Sequence, residues 1–167
     1  MKSPLPESPL RVGSAGRIDD VLCRVEGHAV VGVDRGEETR NCHEYRLVDG
    51  RGMEMLLVYG WRDDDDDWLL FIPHHTHPSM TPSQAATMRA GDRIFFGVDC
   101  ARVMDRFRFT IGRTENEKTP GPATGTVFYG FAARSQNWFY LVKWNEGGIV
   151  FYRSKLLKDR KVRAALN

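Results

Sequence analysis

Cysteine is scarce in this chain of 167 residues: Cys23, Cys42 and Cys100 are widely spaced, odd in number and form no C-x-x-C pair. That argues against a disulfide framework and against a zinc ribbon. Long apolar runs are also missing, and nothing approaches the roughly 20 apolar residues of a spanning helix. The opening Met1-Lys2-Ser3-Pro4-Leu5-Pro6 has no apolar core of a signal peptide. Charge of one sign is nearly absent in the sum, which is +2, so the whole chain makes no case for nucleic acid or an anionic membrane. These absences predict a protein of a reducing compartment, most simply cytoplasmic, with no membrane span. No catalytic constellation and no cofactor motif is recognised, and the reading leans away from an enzyme.

What the chain does have is alternation. Glu44-Tyr45-Arg46-Leu47 alternates polar and apolar, Asp49-Gly50-Arg51-Gly52 supplies a turn, and Met53-Glu54-Met55-Leu56-Leu57 resumes the pattern. This is the signature of a hairpin in a half-buried antiparallel sheet. Val21–Val25 and His28–Val33 flank Glu26-Gly27, which reads as a tight turn. Asp67–Ile72 is nearly all apolar, as in a strand buried on both faces. Thr81-Pro82-Ser83-Gln84 reads as a helix N-cap with proline at the first position, predicting a short helix near 82–89. Strand signals return at 92–96, 98–104 and 107–113, then at 126–132, 138–144 and 149–153, with a second hairpin turning at Asn145–Gly148. Apolar content of 41% and charged content of 28% suffice for a core. The expected fold is all-β, an antiparallel sandwich or two small barrel-like sheets of about ten strands. Residues 1–13 read as a flexible leader and 14–153 as one β domain, with two similar halves (14–73 and 91–153) as an open reading. Residues 154–167 read as a basic C-terminal helix or tail, with Ser154 as its cap.

Candidate sites follow from residue chemistry. His74, His75 and His77 sit between prolines after a strand, and neutral imidazoles ligate zinc, copper or nickel. Asp63–Asp67 is a carboxylate run, read as a solvated turn because the spacing of a calcium loop is absent. Cys42-His43 can be drawn as nucleophile and base, but neighbours on a regular strand face opposite ways. Cys23 and Cys100 read as core. Aromatics crowd the last 40 residues, and Tyr129, Phe131, Trp138, Tyr140 and Trp144 are the candidates for a ligand-binding face. From Arg153 to Arg163 there are six basic residues and one Asp, a tail able to touch phosphates.

Four elements together resemble the bacterial domain-of-unknown-function family 4178. They are a short strand pair after Gly16, the run HEYRLVDGRG at 43–52, Trp68-Leu69, and TVFYGF at 126–131 followed by a W-x-x-G turn at Trp144–Gly147. The similarity spans roughly residues 12–153. This chain departs from the pattern with Cys42-His43 in place of an aromatic and Leu56-Leu57 in place of Trp-Leu. The resemblance implies a small bacterial β-rich domain and carries no catalytic residues over. The functional expectation is a non-catalytic binding or interaction module for a protein or small-molecule partner. Metal binding through His74, His75 and His77, and nucleic-acid contact through the basic tail, are the alternatives; nucleic acid is not favoured by the net charge.

Overall fold

Ten strands form because valine, aromatic and β-branched runs alternate with short turns of glycine and aspartate. The computed structural model describes residues 7, 9–61 and 67–167. In chain order the strands are β1 (Ala15–Ile18), β2 (Val21–Arg35), β3 (Glu38–Asp49), β4 (Glu54–Tyr59), β5 (Trp68–Pro73), β6 (Arg93–Phe96), β7 (Asp99–Asn116), β8 (Val127–Arg134), β9 (Phe139–Asn145) and β10 (Gly148–Leu157). Helix α1 (Pro82–Thr87) follows β5, and α2 (Asp159–Leu166) follows β10. The predicted cap of α1 is present: Gln84 N–H donates to Thr81 Oγ1, and Thr81 N–H donates to Gln84 Oε1. No helix among the described residues is long and apolar enough to cross a membrane.

The sheet runs β1-β2-β3-β4-β5-β10-β9-β8-β7-β6, and β2 also pairs with β7. That extra ladder closes β2–β5 and β7–β10 into an eight-stranded antiparallel barrel, with β1 and β6 as short additions. The structure is therefore one closed barrel, and neither a sandwich nor a pair of barrel-like sheets. The physical reason lies in β2 and β7, each long enough to serve two ladders along a single edge. β2 pairs with β1 through its first residues and with β7 through Gly27–Asp34. The expected turn at Glu26-Gly27 is instead a bulge: β2 continues through it while the register against β3 shifts between Val25 and Gly27. The true turn lies earlier, at Asp19 and Asp20, both with positive φ (49° and 66°).

A common pattern opens each run of five strands. Gly13 N–H donates to the Val25 carbonyl and Val25 N–H to the Ser14 carbonyl; Gly91, Val103 and Asp92 repeat the arrangement. Where the runs meet, Val31 lies opposite Ile111 and Val33 opposite Phe109, about the central pair Gly32–Thr110.

Closure creates three cores. Inside the barrel lie Val31, Val33, Cys42, Val58, Leu69, Phe71, Phe107, Phe109 and Leu141. Outside, Tyr45, Leu47, Leu57, Trp68 and Leu70 pack against Val162 and Leu166 of α2. On the other outer side, Phe131, Tyr140, Val142, Trp144 and Phe151 pack with Phe96, Val103 and Ala85 of α1. Thus β5 is buried on both faces, as its apolar run implies. Trp68 Nε1 donates to Asp159 Oδ1 at 2.8 Å, pinning α2 to the barrel wall.

Two terminal expectations need amendment. Residues 1–6 and 8 of the leader lie outside the described residues, but Leu10 is buried in the α2-side core. Ser154 is not a helix cap. It is a buried strand residue whose hydroxyl donates to the Phe139 carbonyl at 3.1 Å, because β10 runs on to Leu157 in order to pair with β5. The helix starts only at Asp159.

Close approach of α2 to β1 requires Gly16, since a Cβ there would overlap the Ala165 carbonyl oxygen. Gly16→Ala is expected to lower stability by about 1–3 kcal/mol through overpacking. Thermal denaturation checks this; an unchanged melting temperature would show that α2 does not dock as described.

Candidate functional site

The alternation of β3 places its charged side chains inside the barrel. Cys42, Glu44 and Arg46 point inward, while His43, Tyr45 and Leu47 point outward beneath α2. Toward one end the interior is solid, with Trp61 packed on Phe71, Phe107 and Phe109 at ring distances of 5.9, 5.2 and 6.1 Å. Toward the other it opens into a cavity of about 520 Å³. Ala29, Leu56, Ile111, Phe128 and Tyr152 supply its apolar wall, and the buried Lys143 and half-buried Glu44 its inner charges.

Lys143, on β9, is 7% exposed. Its Nζ donates to Glu44 Oε2 at 3.5 Å and lies 4.7 Å from the Phe128 ring centre and 5.1 Å from that of Phe109. The ammonium is thus held by a carboxylate and two aromatic faces in a water-poor setting. Gly130, opposite Lys143 on β8, makes room: a Cβ there would stand 2.8 Å from the Phe109 ring. Tyr152 lies on β10, and burial, with help from the carboxylates of Glu44 and Glu54, pushes its phenol well above the ordinary range. Tyr152 therefore lines the cavity in its neutral form at physiological pH.

Arg46 guards the rim. Its Nη2 donates to Asn116 Oδ1 at 3.3 Å and to the Thr119 carbonyl, and its Nε lies 3.9 Å from Glu54 Oε1. These bonds tie the polar loop after β7 to the cavity mouth. Gly27 and Gly121 pack on this cluster, where side chains would crowd Asn116 and Arg46.

The aromatics expected to form a binding face divide differently. Phe131, Tyr140 and Trp144 are buried in the outer core beneath α1, and Tyr140 donates its hydroxyl to Asp99 Oδ2 at 2.5 Å. Tyr129 and Trp138 are exposed, and the Arg153 guanidinium covers the Trp138 ring at 4.0 Å. None of the five lines the barrel cavity; Phe128 and Tyr152 do. The sequence did hold a signal for the cavity: charged residues at inward positions of otherwise apolar strands, Glu44 and Arg46 in β3 and Lys143 in β9.

The three histidines go separate ways. His74 lies against Tyr140 and Phe96, with ring centres 5.7 and 6.1 Å away. His77 stacks on Phe151 at 4.3 Å, and His75 is exposed. Among the described residues no group of three or more His, Cys, Asp or Glu is placed to hold a metal ion. Burial, then the nearby Arg153, lowers the His74 pKa. Of the acidic run, residues 63–66 lie outside the described residues, and Asp67 pairs with Lys158 at 3.1 Å. The basic tail is largely spent within the fold: Lys155 and Lys161 pair with Asp19, and Arg163 with Asp159.

Cys42 and His43 do face opposite ways. Burial pushes the Cys42 thiol up to about 12. His43 instead meets His28 outside the barrel, its Nδ1 lying 2.8 Å from His28 Nε2, both rings buried. Burial first, then His43 and Arg113, lowers His28 to about 4. Cys23 is buried, whereas Cys100 is exposed rather than core, at the start of β7 in the β6–β7 hairpin.

Two outcomes follow. In the native protein a thiol reagent should titrate Cys100 while Cys23 and Cys42 stay protected, all three reacting after denaturation. Rapid native labelling of Cys42 would contradict its enclosure. For His28, the unfolded chain takes up a proton that the folded chain refuses between pH 6.5 and about 4. Stability should be flat above that window and fall on acidification through it, by up to about 3 kcal/mol. Urea unfolding against pH checks this, and His28→Gln should flatten the curve. Compared with family models, with curated proteins and with solved structures, the chain matches none.

Proposed function

We propose that this chain is a non-catalytic binding module that holds a small, largely apolar molecule inside its barrel. The observation that carries the reading is the cavity of about 520 Å³, open at one end, with an apolar wall and a half-buried Glu44–Lys143 pair. That volume and mixture of surfaces are typical of sites that enclose most of a small ligand. A cavity inside a closed barrel also suits this role, since the wall is fixed by ladders on every side. The free thiols support placing the protein in a reducing compartment, which we read as the cytoplasm. The resemblance to the bacterial family 4178 is kept as part of this reading. The reading of 14–73 and 91–153 as similar halves is supported by the backbone bonds that open each run.

The test uses a neutral apolar dye, N-phenyl-1-naphthylamine, whose emission rises in a dry pocket. Saturable one-site binding is expected. Val150→Trp at the rim and Ala29→Trp in the wall should each weaken it by about tenfold or more by filling space, with folding verified by circular dichroism. Tyr129→Ala, on the outer face, should leave it unchanged. No saturable binding, or full binding in both folded tryptophan variants, would overturn the reading; loss of binding in Tyr129→Ala would move the site to the outer aromatic surface.

A further inference from the structure

The charges around the cavity cancel in pairs. Glu44 meets Lys143 at 3.5 Å on the inside, and Glu54 lies 3.9 Å from Arg46 at the rim. An anionic head group drawn to Lys143 would set its charge beside Glu44, and a cationic one drawn to Glu44 would compete with Lys143. Either leaves a buried charge short of its partner, which is the costly arrangement in a dry site.

Hydrogen-bonding capacity is left over all the same. The Glu44 carboxylate accepts one long bond, from Lys143, and no other described residue donates to it. Lys143 carries three N–H groups and spends one on Glu44. Tyr152 lines the same cavity, and its hydroxyl makes no hydrogen bond to a described residue. The inner cavity therefore offers one acceptor group, Glu44, beside two donor groups, Lys143 and Tyr152, at zero net charge.

Resting on the barrel-binding reading above, we propose that the ligand carries a neutral head group with an adjoining donor and acceptor, of the carboxamide type. Its N–H groups donate to Glu44. Its carbonyl accepts from Lys143 and Tyr152. Its apolar body lies along Leu56, Ile111 and Phe128 toward the mouth. Such a group satisfies both members of the ion pair without separating them, which neither a fatty acid nor an alkylamine does.

The test is competition against bound N-phenyl-1-naphthylamine, at neutral pH and low salt, by octanamide, octanoate and octylamine. These share an apolar body and differ in the charge of the head. Octanamide should displace the dye at a concentration lower by about tenfold or more than either charged analogue. Glu44→Gln removes the carboxylate and leaves Lys143 unpaired, so the preference should invert toward octanoate. In Glu44→Leu/Lys143→Met, which removes both charges together, the amide advantage should shrink to within about threefold while the dye still binds. Equal displacement by all three compounds, or stronger displacement by octanoate in the unaltered protein, would overturn the head-group assignment and leave the cavity reading standing. Failure of the dye to bind at all would overturn both.

Discussion

Everything in this structure depends on the ladder between β2 and β7. Without it the ten strands would make an open sheet with one face toward solvent. With it, one face becomes an interior, and each strand must satisfy two environments at once. Val31, Val33, Phe109 and Ile111, which pair across that ladder, also begin the packing inside. Once the barrel is closed, an inward side chain has no route to bulk water except through the mouth. That is why a lysine and a glutamate on β9 and β3, distant in sequence, are obliged to meet.

Closure also reverses the usual meaning of an alternating strand. In an open half-buried sheet the apolar side faces the core and the charged side faces solvent. In β3 the apolar side, Tyr45 and Leu47, faces outward and is covered by α2, while Glu44 and Arg46 face inward. The inversion is affordable because the outside is not bare: α2, pinned by Trp68 and Asp159, and the segment around Leu10 supply a second layer. The interior divides by depth, with aromatic rings filling the end near Trp61 and charged groups lining the other.

The local grammar of the chain was legible for physical reasons. Alternation, turn residues and the Thr81-Pro82 cap depend on neighbours in sequence, and the β3–β4 and β9–β10 turns and the start of α1 lie where those signals put them. What failed was what depends on distant partners. Glu26-Gly27 looks like a turn, but the ladder to β3 carries the strand through it as a bulge. Ser154 looks like a cap, but pairing with β5 keeps it in a strand. Alternation shows that two faces differ, without showing which is enclosed. The aromatic crowding near the C-terminus was real, yet Phe131, Tyr140 and Trp144 were consumed by the core beneath α1. The cavity is assembled from residues on β2, β3, β4, β7, β8, β9 and β10, and only the closed topology brings them together.

Glu44 and Lys143 face each other inside the barrel rather than on its surface. A double-mutant cycle on folding stability, with Glu44→Gln, Lys143→Met and the pair combined, tests this most directly. An enclosed pair should show a coupling of about 1.5 kcal/mol or more, with the double variant more stable than the sum of the single losses implies. Additive single effects, with coupling near the roughly 0–1 kcal/mol of an exposed pair, would contradict it.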